Sequence, residues 1–229
     1  MMTSPPSASD LTLMGDGAQF VPAGALKVLD ELGAALAKLP SDQAGVRIHG
    51  VSALSAVLGA SGVVGSIAEA LMGRKCAPVR AILFDKTATT NWALAWHQDR
   101  TICVKQRLPV DGFGPWTIKR GLQHVAPPYD LLARMVTLRV HLDDVPAQNA
   151  PLLIALGSHL AGKLEVDAYA DVLEQCNAFA CLAKAGDVWA YATPILHASA
   201  VATNPRRRRV LQVDYSADEL PGGLEWLGV

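Results

Sequence analysis

Apolar positions in the first third of the chain recur at helical spacing. Between residues 22 and 39 they fall at Ala25, Leu26, Val28, Leu29, Leu32, Leu36 and Leu39, one stripe that Pro40 ends. Residues 61–72 predict a second helix, stopped by Gly73. The texture then changes. Residues 79–84, 92–98, 102–108 and 135–142 are short runs of Val, Ile, Leu and aromatic side chains separated by turn formers, the pattern of an all-β unit. Residues 164–176 predict a helix or a long insertion, and strand texture returns at 187–191, 196–201 and 210–215. No repeat or low-complexity linker divides the chain. The expectation is a mainly β fold with flanking helices. It comprises a polar, disordered tail at 1–10 and a single domain at 11–229, mainly helical over 11–78, with a β-sandwich or jelly-roll core over 79–216.

One stretch calls for a membrane test. Residues 48–68 carry no Asp, Glu, Lys or Arg and are long enough to span a bilayer. His49, four serines and glycines at 50, 59, 62 and 65 interrupt it, and the break from Gly59 to Gly62 splits it in two. Two short helices packed on a core fit that pattern better than a span. The first ten residues have no basic segment followed by an apolar one, so no export signal is expected and the expected location is cytoplasmic.

Composition narrows the class further. At 229 residues, 51% hydrophobic and 18% charged, the chain is not a disordered polymer and can bury a core without disulfides. Twenty basic against twenty-one acidic residues exclude a general electrostatic nucleic-acid binder. Cys76, Cys103, Cys176 and Cys181 form no C-x-x-C pair and read as buried thiols of a reducing compartment. The expected partner is a small-molecule substrate, with neither nucleic acid nor membrane, bound by a monomer or homodimer.

The chemistry-bearing residues centre on Trp96-His97-Gln98-Asp99. In a strand, residues i and i+2 share a face, so His97 and Asp99 can reach one metal ion. His197 lies in a later predicted strand. Two histidines and one carboxylate with open positions are the ligand set of non-heme Fe(II) oxygenases. An H-x-D alone is a weak signal, and a hydrogen-bonded core histidine is the plain alternative for His97.

The surrounding blocks sharpen this. Arg80-Ala-Ile-Leu-Phe-Asp-Lys86, Asn91-Trp92, Trp96-His97-Gln98-Asp99, Leu142-Asp143-Asp144, Pro151-Leu152, Gly157-Ser158-His159, Gly186-Asp187-Val188-Trp189, His197-Ala198-Ser199 and Arg208-Arg209-Val210-Leu211 occur in that order. Over residues 79–215 the chain resembles the phytanoyl-CoA dioxygenase family. The resemblance implies a double-stranded β-helix (jelly-roll, cupin-like) core, Fe(II), and 2-oxoglutarate and O2 as co-substrates. It does not imply phytanoyl-CoA as the substrate.

Position by position, the resemblance makes His97, Asp99 and His197 the iron ligands and Arg208 the partner of the distal carboxylate of 2-oxoglutarate. A guanidinium suits that task, with two parallel N–H donors and a permanent charge. Alternation along the last strand puts Arg208, Gln212 and Asp214 on one face and Leu211, Val213 and Tyr215 on the other, under the helices. That favours Arg208 or Arg206 within the run 206–209, and the family spacing selects Arg208. The other arginines then read as a solvated turn. Ser199 matches a serine that bonds the same carboxylate. Asn91, on the face of His97 and Asp99 by the count of twos, is a candidate donor to 2-oxoglutarate or substrate, and Lys86 a candidate second cation. Gln98 would point away from the metal. Trp116 and His124, in a long Gly/Pro-rich loop over 112–129, are candidate substrate contacts. His49, His141 and His159 read as core or surface residues.

Two departures from the family pattern stand out. Leu156 replaces the proline before Gly-Ser-His, and Ala202 stands where an asparagine is expected, with Asn204 nearby. Both put turn geometry in question and leave the ligand set intact. The implied activity is hydroxylation of an unactivated C–H bond with release of succinate and CO2, and the presence of Asp99 favours it, or desaturation or cyclisation by the same oxidant, over halogenation. The competing readings are a redox-neutral jelly-roll metalloenzyme (an isomerase or hydrolase) and a non-catalytic binding jelly roll. Arg208 and Ser199 count against the first, and the complete ligand set against the second.

Overall fold

The computed structural model describes residues 6–40 and 43–229. In chain order the strands are β1 (Ala18–Val21), β2 (Gly45–Ile48), β3 (Ala77–Lys86), β4 (Leu94–His97), β5 (Ile102–Val104), β6 (Trp116–Lys119), β7 (Leu122–Val125), β8 (Val136–His141), β9 (Leu152–Ala155), β10 (Ala178–Cys181), β11 (Val188–Ala192), β12 (His197–Ser199) and β13 (Arg208–Ser216). The α-helices are α1 (Leu13–Asp16), α2 (Leu29–Leu36), α3 (Ser52–Leu58), α4 (Val63–Met72), α5 (Tyr129–Ala133) and α6 (Tyr169–Gln175).

All strand pairs are antiparallel. A six-stranded sheet runs β1-β11-β8-β13-β3-β2, a four-stranded sheet β10-β9-β12-β4, and a three-stranded sheet β5-β7-β6. This is the expected mainly β, jelly-roll architecture with flanking helices. Alternation sorts the large sheet's two faces. Ala81 and Leu83 of β3, Leu138 and Val140 of β8, and Leu211, Val213 and Tyr215 of β13 pack with α2, α3 and α4 in one core. The opposite face turns Arg80, Lys86, Arg139, Arg208 and Gln212 into a cavity shared with the four-stranded sheet. Covering helices on one side and a polar lumen on the other follow from that single period.

The uncharged stretch 48–68 forms α3 and α4, bent by 44° at the glycine break. No single helix among the described residues is long and apolar enough to cross a membrane. Leu54, Val57, Leu58, Val64 and Ala68 are buried in the helix-side core, and Tyr215 Oη donates to Leu58 O at 2.9 Å, pinning α3 to the sheet. Gly65 explains part of the glycine pattern. A Cβ there would lie 1.9 Å from Gly59 O, so the two helices approach too closely for any side chain.

Several expectations need correction. The helix expected at 22–39 begins later, as a 3-10 turn at Leu26–Val28 leading into α2. Its proposed first turn is a bend with Ala23 at φ 53°, which lets β1 join the sheet beside β11. Neither β1 nor β2 is expected, because four residues are too few to display a period. The tail expected over 1–10 lies outside the described residues for 1–5, but Ala8–Asp10 form an ordered 3-10 turn. The long loop expected over 112–129 contains the β6–β7 hairpin. Its two turn residues, Arg120 and Gly121, have φ of 53° and 79°, the left-handed pair that suits a two-residue hairpin.

Candidate metal centre

His97 and His197 face each other directly across the antiparallel pair β4–β12. Their rings are 4.1 Å apart at the centroids. Each is oriented by the backbone of its own strand. His97 Nδ1 lies 2.8 Å from Ala95 O, and His197 Nδ1 lies 3.0 Å from Ile195 O. A carbonyl only accepts, so each Nδ1 donates and each Nε2 is the ring atom left to face a metal. Burial first, and then the neighbouring His97, push His197 down to about 4, so it is neutral near pH 7.

Asp99 arrives differently from the way alternation suggests. It lies two residues beyond the end of β4, and Arg80 and Gln212 hold it in place. Arg80 donates to Asp99 Oδ2 at 3.1 Å and Gln212 Nε2 to the same oxygen at 3.4 Å, leaving Oδ1 as the ligand atom. Arg80 is itself fixed by the buried carboxylate of Asp214, which also accepts from Thr137. Burial opposes the Asp99 charge, but Arg80 and then the two histidines outweigh it and hold the carboxyl below its usual value. Ligand atoms of His97, Asp99 and His197 all lie within 4.8 Å of one another. Two imidazole Nε2 atoms and one carboxylate oxygen fit Fe(II) with open positions.

The same cavity, of about 360 Å³, holds the expected co-substrate anchor. Arg208 is 3% exposed, donates to Ala150 O, and has a buried Nε with no partner. Burial and the nearby Arg139 push its guanidinium down to about 9. A buried cation without an anion is costly, and a carboxylate there would relieve it. Ser199 Oγ receives a hydrogen bond from Lys86 Nζ at 3.1 Å, and Lys86 also donates to Trp92 O at 2.7 Å. Lys86, Ser199 and Arg208 thus line the same cavity as two cations and a hydroxyl, a set suited to a carboxylate such as 2-oxoglutarate would present.

Other candidates land elsewhere. Asn91 does not line the cavity. Its amide clamps the backbone of Ala202, donating to Ala202 O at 3.0 Å and accepting from Ala202 N at 2.8 Å. The reason is that β4 starts only at Leu94, so counting in twos back to Asn91 fails. Trp116 packs beside Val79, Ile102 and Val125, with Arg107 over its ring at 5.7 Å. His124 is fully buried, its Nδ1 3.0 Å from Leu122 O. Neither lines the cavity, because the segment folds as a hairpin rather than as a lid. Gln98 does turn away, tying Gly162, Leu164 and Pro194 together behind the site. Arg207 and Arg209 are not merely solvated: they pair with Asp85 and Asp143.

Both departures from the family pattern have local reasons. Leu156 N donates to Asn177 O at 3.0 Å, a bond a proline cannot make. Ala202 is held through its backbone by Asn91, so its side chain is not needed there.

Sequence reasoning passed over Arg47, Arg80, Lys119 and Arg139 as cavity residues. For Arg80 and Arg139 the signal was present: each is a charge inside an apolar strand, on the face that carries the other polar residues. His141 shares the Arg139 face of β8. Burial and the adjacent Arg139 and Arg208 push it to about 3, and neither ring nitrogen has a partner.

The sequence profile of phytanoyl-CoA dioxygenase matches residues 52–210. No curated protein matches the chain significantly. Among solved structures, the epimerase SnoN in complex with Fe3+, alpha ketoglutarate and nogalamycin RO is similar at a TM-score of 0.64 and 17% identity, covering 92% of this chain and 88% of that one. EctD from S. alaskensis with bound Fe is similar at 0.61 and 20%, covering 95% and 79%. The carbocyclase SnoK from nogalamycin biosynthesis is similar at 0.59 and 17%, covering 93% and 87%. With the profile spanning well over half of the chain, and the ligand set and anion anchor assembled in one cavity, the protein belongs to the phytanoyl-CoA dioxygenase family of Fe(II)- and 2-oxoglutarate-dependent enzymes.

Proposed function

We propose that this enzyme hydroxylates an unactivated C–H bond of a small molecule. Iron and 2-oxoglutarate, when bound, supply an O2-derived oxidant, one oxygen atom going to succinate as CO2 leaves and the other to the substrate. His97, Asp99 and His197 would hold the metal through two Nε2 atoms and Oδ1. Arg80 and Gln212 keep Asp99 charged and turned toward it. Arg208, with Ser199 and Lys86, would fix the distal carboxylate and so set the orientation of the co-substrate. Between them, Phe84, Trp92, Leu94 and Leu152 give the lumen apolar walls that limit water.

The observation that carries this reading is the buried, anion-less Arg208 in the same cavity as the three ligands. Hydroxylation is preferred over epimerisation because an epimerase must return a hydrogen to the opposite face of the substrate. Among the described residues, no tyrosine or cysteine lines the cavity to supply one. Asp99 fills the position that a halide would need.

The test is to add Fe(II) and then 2-oxoglutarate without oxygen and record the visible spectrum. A weak charge-transfer band requiring both is expected, and Arg208→Ala should raise the 2-oxoglutarate concentration needed by about 100-fold or more. His97→Ala with Asp99→Ala should abolish the band and succinate release while leaving the circular dichroism spectrum unchanged. A band that survives in Arg208→Ala at the same concentration would overturn the anchor. Metal binding with no band in the parent protein would overturn the oxygenase reading.

A further inference from the structure

The cavity carries more positive charge than iron and 2-oxoglutarate account for. Six cationic side chains line it (Arg47, Arg80, Lys86, Lys119, Arg139 and Arg208) against one carboxylate, Asp99. This occurs in a chain whose net charge is -1. The cations fall into two groups. Lys86, Arg139 and Arg208 lie together, since the last two each depress the proton affinity of the first. They surround the proposed seat of the distal carboxylate. Arg80 is occupied by Asp99 and Asp214.

Arg47 and Lys119 remain. They come from β2 and β6, edge strands of two different sheets, and both line the cavity, where each feels the charge of Asp99 and Lys119 that of Arg47. Neither has a carboxylate within 4.0 Å among the described residues. Arg47 Nε is buried with no hydrogen-bond partner. The Lys119 ammonium has one, Thr101 Oγ1 at 3.3 Å. Burial, then repulsion from Arg80, weakens the protonation of both, and Arg47 adds to that on Lys119. Like charges from separate sheets, half-buried and without an ion-pair partner among the described residues, are a standing cost that the more distant Asp99 offsets only in part and that an anion would relieve.

Resting on the reading of this cavity as an iron and 2-oxoglutarate site, we propose that the substrate is itself an anion, and that Arg47 and Lys119 bind its charged group beside the metal. On that reading the metal and Arg208 would take the two carboxylates of 2-oxoglutarate, which leaves Arg47 and Lys119 for the substrate. A cavity of about 360 Å³ shared with the co-substrate admits only a small molecule. The charged group, a carboxylate or a sulfate- or phosphate-like oxyanion, therefore sits only a few bonds from the carbon that reacts. Its distance from the metal selects which C–H bond is presented.

The experiment uses sulfate and benzoate as probes, titrated calorimetrically into the Fe(II)-loaded protein under nitrogen with 2-oxoglutarate saturating. At least one probe should bind. Arg47→Gln with Lys119→Gln should weaken that probe by about tenfold or more, while leaving the affinity for 2-oxoglutarate within about twofold. Lys119→Gln alone, on a hairpin strand, is the control should the double variant misfold, and it should give part of the same loss. Benzoate binding alone would identify a carboxylate substrate, and sulfate binding alone an oxyanion ester. No binding by either probe, binding unchanged in the variants, or binding abolished by 2-oxoglutarate would overturn the proposal. Probe binding that depends on Arg47 and Lys119 in a protein with no 2-oxoglutarate band would uphold the anion site and remove the oxygenase reading instead.

Discussion

Arg80 holds two carboxylates at once, Asp99 on the cavity side and Asp214 behind it. A planar fork holds both in one fixed geometry, which a point charge on a flexible stem does less well. Arg80→Lys is therefore expected to lower metal affinity by about 10- to 100-fold, read by metal titration, without touching a ligand. Lys86 makes a second prediction at this scale. Burial, and then Arg208 and Arg139, lower it to about 8. Below that pH it is charged and adds to the attraction for a carboxylate; above it the charge is lost. The Kd for 2-oxoglutarate should rise as pH passes through about 8, and Lys86→Met should be weaker at low pH but flatter across the range. His97 and Asp99 were legible as a candidate pair because H-x-D keeps its members close whatever the backbone does, and His197 joined them through the family resemblance. Asn91 was not, since its placement assumed a regular strand from residue 92 when pairing begins at Leu94. Arg139 sits inside a run that reads as a buried strand, and only the polar company on its face, Thr137 and His141, hints at the lumen.

At the scale of elements, the α3–α4 pair shows what a glycine pattern encodes. The uncharged stretch with glycines at 59, 62 and 65 forms two short helices in backbone contact. Gly65→Ala forces those backbones apart. It is expected to destabilise the fold by about 1–3 kcal/mol or more, seen as a lower midpoint in urea with an unchanged slope. Long apolar runs such as β3, β8 and β13 were legible through their period and turn punctuation. The short strands β1 and β2 were not, because four residues adopt a strand only when a neighbour offers its edge. β6 and β7 hid for another reason. Their Gly/Pro-rich surroundings look like a loop, and the hairpin is revealed by Arg120-Gly121 alone.

For the whole molecule, balanced composition concealed an unbalanced interior. A net charge of -1 says nothing about six cations gathered in one lumen. Total charge averages over faces, and only the fold assigns each residue to one. The jelly roll itself was readable as strand texture following helices, but which strands share a sheet is a long-range property. His97 and His197, a hundred positions apart, become direct neighbours only through it.

That pairing has a mechanical side. β4 is the outer strand of its sheet, bonded to β12 alone, and the register slips between His197 and Ser199. An ion gripped by His97 and His197 adds a cross-link where the ladder is thinnest. Amide hydrogens of Leu94–His97 should exchange with solvent freely in the metal-free protein and slow markedly once metal is added, more than those of β13 at the sheet centre. Iron then serves as a fastener as well as a reagent, and losing it would unzip the edge of the site before the rest of the barrel loosens.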